Sequence, residues 1–315
     1  MFDPQRFIDD QIRKLRETVT GKAIIAASGG VDSTVCAAIV SKAIGDQLLA
    51  VYVDTGFMRK GETEAIDGML KRLGVNHITV DASDEYFEAL KGVTDPETKR
   101  KIIGEKFIRV FEREANKSGA EYLIQGTIAP DWIESGGGLR DVIKSHHNVG
   151  GLPADMNMKL VEPLRDLYKD EVRKVARALK IEAAERQPFP GPALAIRVMG
   201  EPTRESVAIV REACAIVEEE IEKAAAAGKM DIPWQYFAVL LPVKSVGVQG
   251  DVRAYGYTIA VRAVQSLDAM SAAYMKMPHD VLETISRRIT NRMKDKVNRV
   301  VYDITDKPPA TIEWE

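Results

Sequence analysis

Apolar residues along this chain alternate between two patterns, short continuous runs and stretches at helical spacing. Residues 22–27 read Lys-Ala-Ile-Ile-Ala-Ala, a run that predicts a buried strand. From Ser33 to Ile44, Val35, Ala38, Ile39 and Ala43 recur at helical spacing, and Gly45 ends the pattern. A second strand is expected over 48–53, an amphipathic helix over 62–73 and a third strand over 77–80. Upstream, Asp3 and Pro4 supply an N-cap and a first helical residue, Ile8, Ile12, Leu15 and Val19 a buried stripe, and Gly21 a stop. Strand, helix, strand, helix, strand predicts the α/β class. The expected architecture is a doubly wound parallel sheet with ligands at the strand carboxyl ends.

Asp95 and Pro96 open a helix expected to reach about Ser118, and residues 122–125 predict another strand. Between 135 and 153 the composition shifts to glycine, with Lys144, His146 and His147 inside; a glycine-flanked loop of that length reads as a lid. The adjacent histidines make a weak zinc site, because neighbouring positions rarely converge on one metal. A helix is expected over 168–179, then the proline-rich connector 186–192. The boundary falls there, giving domains 1–187 and 188–315. In the second part, helices over 203–227 and 278–293 and strands over 237–243, 255–264 and 297–304 predict a smaller α+β domain. Residues 307–315 are stiffened by prolines, and Ile312 and Trp314 need somewhere to pack.

The chain has 315 residues, enough for two cores, with 45% hydrophobic and 29% charged residues, as in a soluble globular protein. A net charge of −3 argues against a general nucleic-acid or membrane surface. No run of eighteen apolar residues and no signal peptide stands in the sequence, so the expected compartment is cytoplasmic and reducing. Cys36 and Cys214 lie far apart in helical patterns and read as core fillers.

The candidate chemistry centres on Ser28, Gly29, Gly30, Val31, Asp32 and Ser33, between the first strand and its helix. Backbone N–H groups of such a turn converge with the helix N-terminus on one point, and two glycines let a phosphate approach the main chain. A carboxylate beside a phosphate repels it unless a cation intervenes, so Asp32 is either an Mg²⁺ partner or a brace within the loop. The turn lacks the lysine of a Walker A loop, which serves transfer of the terminal phosphate. It is better suited to holding pyrophosphate as a leaving group. Asp54, just past the second strand, is placed either to meet a ribose or adenine edge or to brace a turn. Lys99, Arg100 and Lys101 crowd the second turn of a helix, against its dipole, and either an anion or solvent would offset them.

The turn resembles the pyrophosphate loop of the N-type ATP pyrophosphatases, with their adenine nucleotide α-hydrolase-like fold. Together with 99–104, 125–127, 144–151, 188–192, 242–251, 299–303 and 307–315, it is similar to the ATP-pyrophosphatase part of GMP synthetase, over nearly the whole chain. The sequence departs from that pattern at Gln187, where many members carry a histidine. The resemblance implies ATP and Mg²⁺ at the loop, with Gly126 nearby and Lys144 brought to the phosphates. It implies XMP against Arg100, Gln249, Asp251, Lys307, Ile312 and Glu313, and a homodimer made through the C-terminal part. The implied reaction adenylates the xanthine O2 of XMP and then aminates C2 with ammonia, giving GMP, AMP and pyrophosphate. No glutaminase part stands in the sequence and neither cysteine sits at a nucleophile turn, so ammonia is expected from a separate glutamine amidotransferase subunit. The rivals that use the same loop are tRNA-thiolating enzymes, which usually carry paired cysteines and a basic surface, and NAD synthetase, whose pattern 307–315 does not fit.

Overall fold

A computed structural model describes residues 2–130, 158–181, 187–249, 251–267 and 269–315. The expected lid 135–153, with Lys144, His146 and His147, lies outside the described residues, as does the side chain of Gln249. Contacts divide the chain into two compact units. Unit 1 comprises 1–56, 61–84 and 103–186, and unit 2 comprises 57–60, 85–102 and 187–315. The expected parts 1–187 and 188–315 therefore differ from these units chiefly by the two short segments 57–60 and 85–102.

Unit 1 opens on α1 (Pro4–Thr18), capped as expected: Asp3 Oδ1 accepts the N–H of Gln5 at 3.0 Å and of Arg6 at 3.1 Å. Its sheet is parallel, in the order β3-β2-β1-β4-β5. The strands are β1 (Ala23–Ala26), β2 (Leu48–Asp54), β3 (His77–Asp81), β4 (Tyr122–Ile124) and β5 (Lys159–Val161). β1 lies at the centre, with Ala23 opposite both Leu48 and Tyr122. Its apolar run is buried on both faces, as a central parallel strand requires. α2 (Val31–Ile44) begins two residues earlier than its apolar spacing indicates and is buried continuously from Thr34 to Val40. It packs against α1 and α6 (Lys169–Ala178), while α3 (Glu62–Arg72) packs on β3. β5 was not expected, because three residues hydrogen-bonded at a sheet edge leave almost no hydrophobic period. α4 (Ser83–Ala89) is a second element without a sequence signal, being only two turns long. In the order 3-2-1-4-5, connections run outward to either side of the β1/β4 pair. The carboxyl ends of β1 and β4 therefore border a crevice.

Unit 2 is built on a long antiparallel hairpin, β6 (Gln235–Gln249) with β7 (Val252–Gln265). β7 also pairs with β8 (Ala273–Tyr274) antiparallel and with β9 (Val297–Tyr302) in parallel. Both hairpin strands run past the expected 237–243 and 255–264. Their outer halves interleave Lys244, Gly247 and Arg253 with apolar residues that stand exposed, such as Val248 and Tyr255, so no buried face marks them in the sequence. α7 (Arg204–Ala226) lies on β6, and α8 (His279–Arg292) packs on α7 and β9. The first turns of α5 (Pro96–Ser118) count with unit 2 and the remainder with unit 1. Among the described residues, no helix is long and apolar enough to cross a membrane.

Candidate functional site

The loop after β1 is tied together by its own hydroxyls. The Ser28 and Ser33 hydroxyls are 2.9 Å apart, Gly30 N–H donates to Ser28 Oγ at 3.3 Å, and Ser33 Oγ donates to Gly30 O at 3.2 Å. Thr34, 1% exposed, donates its hydroxyl to the same carbonyl at 2.7 Å. The first intrahelical bond of α2 is Thr34 N–H to Gly30 O at 3.1 Å, so the positive end of the helix dipole opens on the loop. Asp32 lies in that first helical turn.

Two glycines stand where a side chain would be strained or crowded. Gly29 has φ +75°, and a Cβ there would stand 2.3 Å from Ile66 Cδ1. Gly126, after β4, lies so close to the loop that a Cβ would stand 3.2 Å from the backbone C and O of Asp32. The loops after β1 and β4 thus meet across the crevice, and Thr127 Oγ1 beside them is buried without a hydrogen-bond partner among the described residues. Beneath the loop, Cys36 is fully buried with its thiol toward Gln125 O at 3.8 Å. Burial, reinforced by Asp32, pushes that thiol far up, and burial raises Cys214 too. Both cysteines are core fillers, with no thiolate to offer as a nucleophile.

Asp54 ends β2 and braces the following turn: Oδ1 accepts from Gly56 N–H at 2.8 Å, and Oδ2 from the Thr63 hydroxyl at 2.7 Å. The turn alternative thus accounts for both of its oxygens in this state.

In unit 2 the residues after β9 form a strap, 303–315, held by three side chains that are each 0% exposed: Lys99, Arg197 and Arg262. Arg262 meets Asp303 at 3.3 Å and donates to the carbonyls of Thr305 and Thr311. Arg197 grips Glu313 bidentately, Nη2 to Oε1 at 2.8 Å and Nε to Oε2 at 3.2 Å. Lys99 pairs with the Glu315 carboxylate and donates to Val198 O at 2.7 Å. Burial pulls the Lys99 ammonium down and pushes the Glu315 carboxyl up, so desolvation outweighs attraction within this pair. Around Arg197, burial works against the charge and Glu313 more than restores it, leaving the guanidinium's pKa above its ordinary value. Glu315 at the end of the strap therefore meets two of the three cations over 99–101, Lys99 through its side chain and Arg100 through its backbone oxygen, while Lys101 is exposed.

Arg100, Lys307, Ile312 and Trp314, all expected from the sequence, lie in this strap or bond to it. Ile312 is buried at 7% exposure and the Trp314 indole N–H donates to Asp303 Oδ2 at 3.0 Å, so these two residues pack as anticipated. Arg100 donates to the backbone oxygen of Glu315, and Lys307 Nζ to Ala269 O at 2.8 Å. Asp251 turns the tip of the β6–β7 hairpin at φ +65°. Gln187 is structural: its Oε1 accepts Tyr236 N–H at 2.9 Å and its Nε2 donates to Glu218 at 3.0 Å. Arg197 and Gln235 were not singled out from sequence. Arg197 has one visible signal, a cation closing the apolar run 193–196.

Two family models match the two ends of the chain. Residues 219–314 match the GMP synthase C terminal domain and residues 4–110 match NAD synthase. A subunit of the GMP synthase (glutamine-hydrolyzing) of Methanopyrus kandleri is 60% identical over 319 residues, covering 100% of both chains. The corresponding subunit from Pyrococcus horikoshii is 60% identical over 314 residues, 98% of this chain and 99% of that one. This chain belongs to that GMP synthase family. Membership makes it a ligase and weighs against the NAD-synthetase and tRNA-thiolating alternatives, since the identity runs through unit 2 as well as the loop. The GMP synthase of Geobacillus kaustophilus is 55% identical over 316 residues, 99% of this chain but 61% of that longer one. The solved NMN synthetase of Francisella tularensis superposes on 61% of this chain and 78% of its own, with TM-score 0.46 and 17% identity.

Proposed function

We propose that this chain makes GMP from XMP by ATP-dependent adenylation followed by amination. The observation that carries the reading is the glycine cradle at the β1/β4 crevice, lacking a Walker lysine, in a chain of the GMP synthase family. The Ser28–Gly29–Gly30 backbone and the α2 N-terminus hold the β- and γ-phosphates, and Gly126 allows the α-phosphate to come close. The O2 oxygen of XMP attacks the α-phosphorus and the bond to the β-phosphate breaks. Pyrophosphate leaves into the loop. Ammonia then adds at C2 and expels AMP. A urea-like carbonyl resists amination, and an adenylate turns its oxygen into a leaving group. No protein nucleophile is needed, so catalysis is positioning and charge stabilisation.

Among the described residues no cluster of three His, Cys, Asp or Glu could cage a metal. A single carboxylate, Asp32, beside a phosphate cradle fits an ion carried largely on the phosphates. Bound there, Mg²⁺ would screen the phosphate charge, with Asp32 as its protein ligand. XMP is assigned to unit 2 through Arg100, Gln249, Asp251, Lys307, Ile312 and Glu313, with Lys144 completing the phosphate charge. Ammonia is supplied by a separate glutamine amidotransferase subunit in the cytoplasm. A homodimer through the C-terminal part has support in the exposed apolar residues of the hairpin, Val248 at 73%, Val252 at 66% and Tyr255 at 68%. The purified chain with ATP, Mg²⁺, XMP and ammonium is expected to form GMP and AMP, and glutamine is expected not to replace ammonium. Formation of ADP, or no GMP, would overturn the reading.

A further inference from the structure

Arg197 is a fully buried cation in unit 2 that packing alone does not call for. It is 0% exposed, its guanidinium carbon lies 4.1 Å from the Phe237 ring centre and 5.2 Å from that of Phe189, and its Nη1 has no hydrogen-bond partner among the described residues. An apolar side chain of similar volume would fill this space without desolvating a charge or stranding an N–H. What the guanidinium adds is a fork. Its Nε and Nη2 fix the plane of the Glu313 carboxylate, a geometry an ammonium cannot supply.

The lone pairs on Glu313 can be counted. Oε1 accepts from Arg197 Nη2 at 2.8 Å and from Gln235 Nε2 at 2.8 Å, which fills it. Among the described residues, Oε2 accepts from Arg197 Nε alone, at 3.2 Å, which leaves one acceptor direction there. The Glu313 side chain is 16% exposed, so a margin of it reaches the surface. Gln235 is itself fixed by a second bond, to Pro188 O at 3.3 Å, and is 4% exposed.

We propose that Arg197, with Gln235, is a positioning residue that leaves Glu313 a single oriented acceptor, on Oε2, for one N–H of the bound purine base. The proposal rests on the reading of Glu313 as an XMP contact given above. It adds a rule of discrimination: a base edge presenting an N–H toward Oε2 is accepted, and one presenting a lone pair there is refused, since neither Arg197 nor Gln235 can turn the carboxylate into a donor. The fork does not touch the nucleotide, and the stack on Phe189 and Phe237 keeps it from swinging away.

The test is steady-state kinetics of the full-length chain with ammonium, measuring KM for XMP and for ATP separately. Arg197→Lys keeps the charge and loses the fork. It is expected to raise KM for XMP at least tenfold and leave KM for ATP within twofold. Gln235→Met, near in shape and milder for folding, should raise KM for XMP about threefold. Each change combined with Glu313→Gln is expected to add little beyond Glu313→Gln alone, because all three act at one oxygen. A structural defect would instead move both KM values and kcat together and lower the melting temperature in proportion. Should Arg197→Lys fail to fold, the Gln235→Met and Glu313→Gln pair carries the same cycle. Unchanged KM for XMP in folded variants, or additive effects in the cycle, would overturn the proposal while GMP synthesis by the wild-type chain stands. If the wild-type chain makes no GMP, the underlying reading is what falls.

Discussion

The phosphate loop and the C-terminal strap are organised by opposite means. The loop is local: six consecutive residues, two glycines and hydroxyls within five positions of one another make the cradle. The strap is non-local: residues 303–315 are held by cations from positions 99, 197 and 262, brought from α5, the segment after Pro192, and β7. One site depends on backbone geometry and the other on buried charge. A substitution in the loop should therefore act on turnover, whereas removing one partner of a buried ion pair in the strap should act on stability as well as on XMP binding.

The largest effect expected is at the strap. Lys99→Met leaves the Glu315 carboxylate buried without its ion-pair partner and should destabilise unit 2 by about 3–5 kcal/mol in urea unfolding. Lys99→Met with Glu315→Leu should recover most of that loss, because the pair itself is nearly offset by its desolvation. If the double variant is as unstable as the single, the buried pair is worth more than this account allows. Next comes the loop. Gly29→Val forces a β-branched residue to φ +75° with its Cβ against Ile66, and turnover should fall by about a hundredfold, with a melting temperature only modestly lower. Gly126→Ala meets a looser contact, and about a tenfold loss in turnover is expected. Equal losses in both would mean that Ile66 and the loop yield to a side chain at Gly29 more readily than the positive φ implies.

How much of this was legible follows from the same contrast. The loop was readable because its chemistry is written in adjacent residues with a strand before and a helix after. β1 and β2 were readable because their apolar runs must be buried on both faces. Asp54 could be read two ways: its carboxylate braces a turn through Gly56 and Thr63, and each oxygen keeps a lone pair with which a ribose hydroxyl could bond. Glu313 was found only through a resemblance, and its grip by Arg197 and Gln235 was invisible because the partners lie 116 and 78 positions away from it. The outer halves of β6 and β7 were missed for a different reason, since their apolar residues Val248, Val252 and Tyr255 are exposed and mark no buried face.

The smallest effect separates surface charge from buried charge within unit 2. Lys223 and Arg288 draw the Glu219 carboxyl down from 4.5 to about 2. A carboxylate depressed by folding contributes stability above its ordinary value and loses it as pH falls, here between 4.5 and about 2. The urea midpoint should drop across that window, and Glu219→Gln should flatten the drop slightly, since both partners are solvent-exposed and screened. A steeper drop in Glu219→Gln would reverse the assignment.

The central claim is that the oxygen at C2 of XMP becomes part of the leaving group. XMP labelled with ¹⁸O at O2, given to the purified chain with ATP, Mg²⁺ and ammonium, tests it most directly. Mass spectrometry of the products should find the label in the phosphate of AMP, one atom for each GMP formed. Label released into water, or found in orthophosphate beside ADP, would contradict adenylation at the Ser28–Ser33 loop and with it the account of the site.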